Sequence, residues 1–462
     1  MNVAFEEESE MGQIDRRRFV ANTAKKVAAL SAGAAAMAAT RRTRSAQPGD
    51  RVRLALIGCG GRGSTVIRRF AKRPDVEVVS LCDLDKREGT SLPKQLNSIQ
   101  GSTPKRVFHY EEVFTDEGVD AVVIATPDHW HGPLTVFACQ AGKDVYVEKP
   151  PSHNVWEGRK MVEAARKYKC IVQAGTQNRS APYVHKAVEY VRSGKLGDIP
   201  LCKVFNMKSG GAYKARPNSR QPKEVDWYIW LGPAKVRPYN EGILHGQWHM
   251  YWDYSGGDMA DDGVHQLDIA RWLIGKDFPQ SVHCSGGNLA FPNDDREVPD
   301  TQIVTYDFDG CIMTFELSQY ARYMSKTPND IRDGDKFPLW MQNATRIELY
   351  GTRQMMILGR HGGGWQAFTG DGKVVAQEYG RPGDDPHQED FIHSVRSRRL
   401  PNGDIEEGHR SACLVHLANM SYRLGGRDLV FDAKTETIVG DEEANKLIKR
   451  EYREPFAIPE NV

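Results

Sequence analysis

The chain has almost no net charge and, past its N-terminal region, no long apolar run. Its 62 Lys and Arg and 61 Asp and Glu residues leave a formal charge of +1. This balance gives no reason to propose nucleic acid or an anionic membrane as a partner. No segment beyond the N-terminal region is long and apolar enough to form a membrane helix. The 462 residues instead allow two or three globular domains.

Cysteine motifs are also missing. The eight cysteines are scattered, with no C-x-x-C pair, which argues against a cysteine-built zinc site or redox centre. Cys82, Cys139 and Cys311 lie in apolar runs that are typical of buried thiols. A disulfide is left open, because spacing alone does not exclude one.

The N-terminus carries the features of an export signal. Arg16-Arg17-Arg18-Phe19-Val20 is followed by a mild apolar stretch over 27–39 and a small-residue cleavage site at Ala36-Met37-Ala38. We expect residues 1–46 to be a twin-arginine signal peptide that delivers a folded, periplasmic protein. Asp15 departs from the usual Ser or Thr, and a disordered basic N-terminus is the alternative.

A glycine-rich turn opens the first domain, which we place at 47–174. Apolar runs over 51–57, 76–81, 120–125, 144–147 and 170–174 alternate with helical patterns, which predicts a doubly wound parallel sheet. Gly58-Cys59-Gly60-Gly61-Arg62-Gly63 follows the first strand and fits G-x-G-x-x-G. In such a motif Gly58 allows the tight turn, Gly60 the approach of pyrophosphate, and Gly63 close helix packing. A glycine-rich turn without a cofactor is the alternative.

Asp83 indicates which dinucleotide is bound. It closes the second predicted strand, twenty residues after Gly63, where a carboxylate can accept the adenosine ribose hydroxyls. Because a carboxylate repels a 2′-phosphate, we predict NAD rather than NADP. Lys86 and Arg87 lie close by and weaken that preference.

Two loops at the carboxyl edge of the predicted sheet carry polar residues. The loop 126–131 follows one strand, and Glu148-Lys149-Pro150 follows the next; ligands bind at this edge in such sheets. Lys149 is a candidate proton-transfer group, with a pKa that falls if it is desolvated near a nicotinamide ring. A solvated surface lysine is the alternative.

A later helix, opening at 256–268 and running to about residue 273, holds an acid and a histidine four residues apart. Asp261 and His265 then share a helical face, so the carboxylate can orient the imidazole as an acid or base. Asp268 could hold the other ring nitrogen. A core histidine beside a helix cap, or a metal site, is the alternative; with no third ligand cluster, we predict no metal.

These motifs resemble the glucose–fructose oxidoreductase, inositol dehydrogenase and rhizopine catabolism (Gfo/Idh/MocA) family. The resemblance rests on GCGGRG, TPDHWHGPLTVFACQAGKDVYVEKP and GGDMADDGVHQLDIARW, in order, over roughly 50–460. It implies a Rossmann domain and a C-terminal α/β domain with a large open, mostly antiparallel sheet, through which homodimers or homotetramers form. It also implies that Lys149 binds and polarises a sugar hydroxyl, that His265 exchanges its proton with support from Asp261, and that the Lys149–Pro150 bond is cis.

The second domain, placed at 175–462, supplies further candidates. The family uses the stretch Gly175–Arg179 near the nicotinamide and substrate, although a capped loop is the alternative. Residues 226–254 are rich in aromatics that suit sugar faces or, equally, the packing of a loop or subunit interface. The predicted cofactor residues are Gly58, Gly60, Gly61, Arg62, Gly63, Asp83, Thr126, Pro127, His131, Glu148, Lys149 and Asn178. The predicted substrate residues are Lys149, Arg179, Tyr183, Trp252, Asp261 and His265.

Two functions fit these residues. The first is transfer of a hydride between a sugar or polyol carbinol and a nicotinamide cofactor. The cofactor must be tightly bound, because none is free outside the cytoplasm. The second is a redox-neutral glycosidase or lyase that oxidises a sugar hydroxyl transiently and expels an aglycone. A cofactor-binding protein without turnover is less compatible with the presence of Lys149, Asp261 and His265 together.

Overall fold

The computed structural model describes residues 51–462, so the predicted signal peptide at 1–46 lies outside the described residues. Their first part forms a six-stranded parallel sheet in the order β3-β2-β1-β4-β5-β6. This order confirms the predicted Rossmann-type sheet. Its strands are β1 (Val52–Ile57), β2 (Val76–Cys82), β3 (Lys105–Val107), β4 (Ala121–Ile124), β5 (Asp144–Val147) and β6 (Val172–Ala174).

Helices cover both faces of this sheet, and its central strands are therefore mainly apolar. All four residues of β4 and of β5 are buried. The helices of this part are α1 (Gly61–Ala71), α2 (Leu92–Gln100), α3 (Tyr110–Phe114), α4 (His131–Gln140) and α5 (Val155–Lys167). Because β1 lies between β2 and β4, the chain reverses its winding there, and the loops after β1, β2, β4 and β5 meet at one crevice.

The second part is built on a ten-stranded sheet in the order β14-β13-β12-β11-β7-β10-β9-β8-β15-β16. Every neighbouring pair is antiparallel except β7 and β10, which confirms the mostly antiparallel sheet. The strands are β7 (Leu201–Met207), β8 (Ser281–Gly287), β9 (Thr301–Phe308), β10 (Cys311–Ser318), β11 (Arg346–Tyr350), β12 (Met355–Gly359), β13 (Trp365–Phe368), β14 (Val374–Glu378), β15 (Leu429–Asp432) and β16 (Thr437–Ile438).

One face of this sheet packs on helices. The helices of this part are α6 (Pro182–Arg192), α7 (Trp227–Leu231), α8 (Val264–Ile274), α9 (Asn329–Arg332), α10 (Asp384–Ser397), α11 (Ile405–Arg423) and α12 (Glu442–Asn445). Helices α8 and α11 contact β7 and β8. Along β9, buried and accessible residues alternate, and Ile303 on the opposite face is 54% exposed.

A long connection between β7 and α8 forms a small core of its own. Residues 213–254, which we call the cover segment, pack their aromatic side chains mainly against one another. Trp227 and Trp230 stack with ring centroids 4.6 Å apart. The buried apolar residues of this core are Tyr213, Val225, Trp227, Trp230, Leu231, Ala234, Tyr239, Ile243, Leu244, Tyr251 and Tyr254. These contacts fit the packing of a loop, and contact of the aromatic residues with a sugar stays a prediction.

The cysteines and the C-terminal tail complete the fold. All eight cysteines are buried and none forms a disulfide, as expected for Cys82, Cys139 and Cys311. The tail returns to the first part of the chain, where the Phe456 ring meets Trp130 at 5.4 Å. No helix within residues 51–462 is long and apolar enough to cross a membrane.

Candidate active site

The glycine-rich turn leaves open backbone at the start of α1. Gly58 has a φ of +93°, and a Cβ there would lie 2.5 Å from the Ala125 carbonyl oxygen. A Cβ on Gly63 would lie 1.9 Å from the Gly58 oxygen, so α1 and β1 touch through these two glycines. At Gly60 and Gly61, no atom of residues 51–462 outside the adjoining backbone lies within 4 Å of the same position. The residues therefore fit a pyrophosphate, which can approach this bare backbone at the helix N-terminus.

Asp83 is held rigidly at the end of β2. Its Oδ2 accepts from the Cys59 amide at 2.7 Å and its Oδ1 from the Asp85 amide at 2.9 Å. Burial raises the pKa of Asp83 to about 6, although both backbone bonds oppose the shift. The nearby Arg87 is bound to Asp85 at 2.7 Å, and Lys86 lies over the Phe108 ring at 5.1 Å. Lys86 and Arg87, which lie close to Asp83 in the sequence, therefore contact other residues instead of Asp83.

A cavity of about 440 Å³ extends from this turn to the loops after β4 and β5. That volume is in the range of cofactor and substrate pockets. Eleven sequence-predicted site residues line it: Gly58, Gly60, Gly61, Arg62, Asp83, Thr126, Pro127, His131, Glu148, Lys149 and Asp261. Gly63 lies behind the turn, where it packs α1 against β1.

Lys149 and Asp261 form an ion pair in this cavity. Lys149 Nζ lies 2.6 Å from Asp261 Oδ1 and also donates to the Asp261 carbonyl oxygen. The peptide bond from Lys149 to Pro150 is cis, as the resemblance implies. His131 Nδ1 lies 2.7 Å from the Pro150 oxygen, which fixes this turn.

The ion pair also sets the charge of both groups. Burial acts to lower the pKa of Lys149, but Asp261 and Asp128 outweigh it, so the pKa is raised. Lys149 lowers the pKa of Asp261 to about 2. The expected fall in the Lys149 pKa is therefore not seen in the protein alone, because a carboxylate contacts the ammonium group.

His265 is buried, and neither expected carboxylate holds it. Only 5% of the residue is exposed, its Nδ1 has no hydrogen-bond partner, and burial keeps its pKa well below the usual value. Asp261 pairs with Lys149 instead, and it belongs to a π-helical turn (Met259–Gly263) that precedes α8, whereas His265 lies in α8 itself. The expectation for Asp268 is wrong: it accepts from Arg179 at 2.8 Å and Ser411 at 2.6 Å.

Four other predicted residues lie away from the lining of the cavity. Arg179 is buried and paired with Asp268 and Glu407. Asn178 donates to the Tyr183 hydroxyl at 3.1 Å and the Arg360 carbonyl at 2.8 Å. Tyr183 donates to the Gly359 carbonyl at 2.8 Å. Trp252 packs on Tyr422, with ring centroids 6.2 Å apart. These four side chains form hydrogen bonds, ion pairs or ring contacts with other residues of the protein. Their contacts with a cofactor or substrate stay predictions.

Sequence reasoning gave no role to Asp128, although it lies in the quoted motif. This carboxyl lines the cavity with Lys149 and accepts from Ser255 at 2.6 Å. Burial raises its pKa to about 7, against the opposing charge of Lys149. Its position directly after a strand end was the available signal.

A second group of charges surrounds Asp262. Lys208 and Lys326 each lie 2.9 Å from its Oδ2, and Arg360 lies 3.5 Å from its Oδ1. Lys208 also contacts Asp258 at 2.7 Å. The acid-rich motif marked the carboxylates, but no local pattern indicated these cations, which come from distant parts of the chain. Within the described range, no group of three or more His, Cys, Asp or Glu residues could hold a metal ion.

Arg62 and Glu148 link the glycine turn to the Lys149 loop. Arg62 Nη2 lies 2.8 Å from Glu148 Oε1, and the Arg62 side chain is 41% exposed. Gln177 donates to the same carboxylate at 3.5 Å. Polar groups at both ends of the cavity are thus held before any ligand arrives.

Two sequence models of one family match the chain. The first, an oxidoreductase family with an NAD-binding Rossmann fold, covers residues 52–176. The second, the C-terminal alpha/beta domain of the oxidoreductase family, covers 184–322 and 343–458.

Curated relatives match over part of their length. An uncharacterized oxidoreductase of Streptococcus pneumoniae is 27% identical over 52% of this chain and 54% of its own, so the chain spans about half of it. The scyllo-inositol 2-dehydrogenase (NAD(+)) of Bacillus subtilis is 26% identical over 59% of this chain and 68% of its own. A glycosyl hydrolase family 109 protein of Solibacter usitatus is 32% identical over 34% and 37%.

Solved structures share the fold. The aldose-aldose oxidoreductase of Caulobacter crescentus aligns with a TM-score of 0.61 at 19% identity, over 82% of this chain and all of that one (100%). A levoglucosan dehydrogenase aligns with a TM-score of 0.59 at 16% identity, over 80% and 97%. These likenesses concern the fold alone. The two family models together span most of the chain, and the chain belongs to the Gfo/Idh/MocA oxidoreductase family, with an NAD-binding Rossmann domain and a C-terminal α/β domain.

Proposed function

We propose that this protein oxidises a sugar or polyol hydroxyl, or reduces the corresponding carbonyl, with a tightly held NAD. The observation that carries this proposal is the ion pair of Lys149 and Asp261, which lies in the same cavity as the bare glycine turn. The relatives named for inositol and levoglucosan support a sugar or polyol as the substrate class.

Each residue has a distinct task in the proposed reaction. Bound NAD supplies the hydride acceptor or donor. The Lys149 ammonium, kept charged by Asp261, donates a hydrogen bond to the reacting oxygen and stabilises it as its proton leaves. His265 remains the predicted proton acceptor, because a lowered pKa keeps its imidazole neutral at pH 7. Glu148 and Arg62 lie where they can hold the cofactor between turn and loop.

NAD is proposed over NADP because of the surroundings of Asp83. An anionic carboxylate accepts ribose hydroxyls and repels a 2′-phosphate. Arg87 is engaged by Asp85, so it does not offset that repulsion. We also propose a periplasmic location through the N-terminal signal, and a homodimer or homotetramer through the second sheet, whose face opposite the helices exposes Ile303 and Ile312.

The test begins with protein purified without added nucleotide. Its near-ultraviolet absorbance reports bound NADH, and free sugars and polyols are then added one at a time. We expect a substrate to change the redox state of the bound nucleotide in the wild type and not in Lys149→Met, which keeps the nucleotide. Full turnover by Lys149→Met would overturn the proposal. Lys195→Met, a change near the Tyr190 ring and outside the cavity lining, serves as the matched control.

A second candidate is the redox-neutral glycosidase or lyase, and His249 favours it. In the described chain its imidazole has no hydrogen bond or ion pair, only a ring contact with Trp248 at 5.7 Å. Burial lowers the pKa of His249, the Lys149 and Lys208 charges lower it further, and the Asp261 charge opposes the shift. Hydride transfer needs one proton-transfer group, for the hydroxyl. Elimination needs a second one, which removes the proton from the carbon beside the transient ketone. The family 109 glycosyl hydrolase relatives add support.

His249→Ala separates the two candidates. If the protein is a lyase or glycosidase, this variant loses aglycone release from aryl glycosides and loses solvent deuterium uptake at the carbon beside the oxidised one. Reduction of the bound nucleotide by the same glycoside continues. Equal aglycone release by wild type and variant would remove His249 from this role.

A further inference from the structure

The cover segment (213–254) is bound to the edge of the cofactor groove by main-chain contacts. The Asp226 amide donates to the Leu84 carbonyl at 3.1 Å, and the Lys86 amide donates to the Glu224 carbonyl at 2.9 Å. Asp85 and Val225 pair as an antiparallel bridge between these bonds. The segment thus pairs with the residues that directly follow β2 and Asp83.

Its far end is anchored as well. The Trp230 carbonyl oxygen accepts from Trp130 Nε1 at 2.9 Å, and the His129 amide donates to the Tyr254 carbonyl at 3.2 Å. Trp130 and His129 belong to the loop after β4. The segment therefore bridges two strand ends of the Rossmann sheet, on either side of the crevice.

Between these anchors, the segment forms a wall of the cavity. Its residues Trp230, Leu244, His245, Gly246 and Trp248 line the same space as Gly60, Arg62 and Asp83. Any group bound along the glycine turn therefore meets this wall.

The tip of the segment, residues 242–248, is tied to the chain after β2 by the side chain of His245. His245 Nε2 lies 2.8 Å from Asp85 Oδ2 and 3.7 Å from Glu88 Oε1. Helical backbone breaks here, since His245 has φ −128° and ψ 72° and Gly246 has φ 127°. Ile243 and Leu244 beside it are buried, so apolar packing holds the tip on one side and His245 ties it to the chain after β2 on the other.

We propose that the cover segment retains the dinucleotide, and that His245 is the positioning residue that keeps its tip closed over the adenosine end. This inference rests on the proposed function. Asp83, the predicted ribose acceptor, lies two residues before Asp85, so the fastening point and the ribose site share one turn. A cofactor closed in this way stays bound between turnovers, and the second half-reaction must regenerate it on the protein.

The inference has a direct kinetic test. Holoprotein carrying NADH is diluted into excess NAD⁺, and the loss of bound NADH fluorescence gives the release rate. A hydrogen bond to a charged group contributes about 1.5 kcal/mol, so His245→Ala should release NADH roughly 10-fold faster. His245→Gln keeps an N–H donor toward Asp85 and should release at a rate between the two.

His283→Ala is the matched control. His283 is 42% exposed, as His245 is partly exposed, and it pairs with Asp428 at 3.2 Å in the second sheet. It should release NADH at the wild-type rate. Equal release rates in wild type and His245→Ala would overturn this inference while leaving the proposed function intact. A wild type that binds no nucleotide would overturn the proposed function and, with it, this inference.

Discussion

Substituting alanine for Gly63 or for Gly60 should have two different effects, one on the stability of the fold and the other on the binding of NAD. At Gly63 the added methyl would lie 1.9 Å from the Gly58 carbonyl oxygen. Because backbone on both sides must move, the strain lies near the upper end of overpacking, about 3 kcal/mol. The better helix propensity of alanine offsets about 1 kcal/mol. We expect Gly63→Ala to lose about 2 kcal/mol of unfolding free energy.

Gly60→Ala should behave in the opposite way. Gly60 has φ −65° and ψ −170°, which alanine adopts without strain, and a Cβ there has no neighbour within 4 Å. The change at this N-cap costs less than about 1 kcal/mol. Its methyl, however, occupies the space that we assign to pyrophosphate, so NAD affinity should fall at least ~10-fold, or about 1.4 kcal/mol.

The assay pairs urea unfolding of nucleotide-free protein with titration of NAD on each variant. The reasoning predicts that Gly63→Ala mainly lowers stability and that Gly60→Ala mainly lowers affinity. Wild-type NAD affinity in Gly60→Ala would refute the placement of the pyrophosphate. Unchanged stability in Gly63→Ala would refute the close packing of α1 against β1.

Three further predictions concern charges and thiols. Because the pKa of Asp83 is raised to about 6, its carboxyl group is mainly ionised at pH 7 and mainly protonated at pH 5, so NAD affinity measured by titration should fall from pH 7 to pH 5. Asp83→Asn should bind NAD weakly at both pH values, and a wild-type affinity that does not change between them would contradict the ribose assignment. Asp261→Asn should lower the pKa of Lys149, because it removes the negative charge that raises this pKa most, and the pH profile of kcat should therefore shift to lower pH. An unchanged profile would argue against a role of Lys149 in catalysis. All eight cysteines are buried and form no disulfide, and burial raises the pKa of Cys284 and Cys311 to about 11. A thiol reagent should therefore label no cysteine of the native protein, and a reductant should leave the Tm unchanged; labelling of the native protein would contradict the burial of the cysteines.

The sequence predicted the elements of the Rossmann domain well, because periodicity and strand-end residues are local signals. The strand predicted at 144–147 is found at Asp144–Val147, and the strand predicted at 76–81 is Val76–Cys82. The three-residue strand β3 carries too few residues for a period to show. Gly58, Asp83 and Lys149 were found because chain order alone places them at the crevice.

The contacts inside the site could not be read in the same way. The spacing of Asp261 and His265 assumed a regular α-helix, whereas Asp261 lies in a π-helical turn and pairs with Lys149, a residue from a distant part of the chain. Arg179 follows a strand end, yet it pairs with Asp268 because two buried charges 89 positions apart in sequence neutralise each other. The cover segment showed its aromatic content but not its position, since that depends on main-chain bonds to residues near Asp85.

The central claim is that the crevice holds a dinucleotide beside Lys149 and Asp261. Its most direct test is to denature the purified protein, prepared without added nucleotide, and to quantify by mass spectrometry the nucleotide that it releases. The account predicts NAD or NADH close to one per chain, and much less from Gly60→Ala. A wild type that releases no nicotinamide nucleotide, and takes none up when it is supplied, would contradict it.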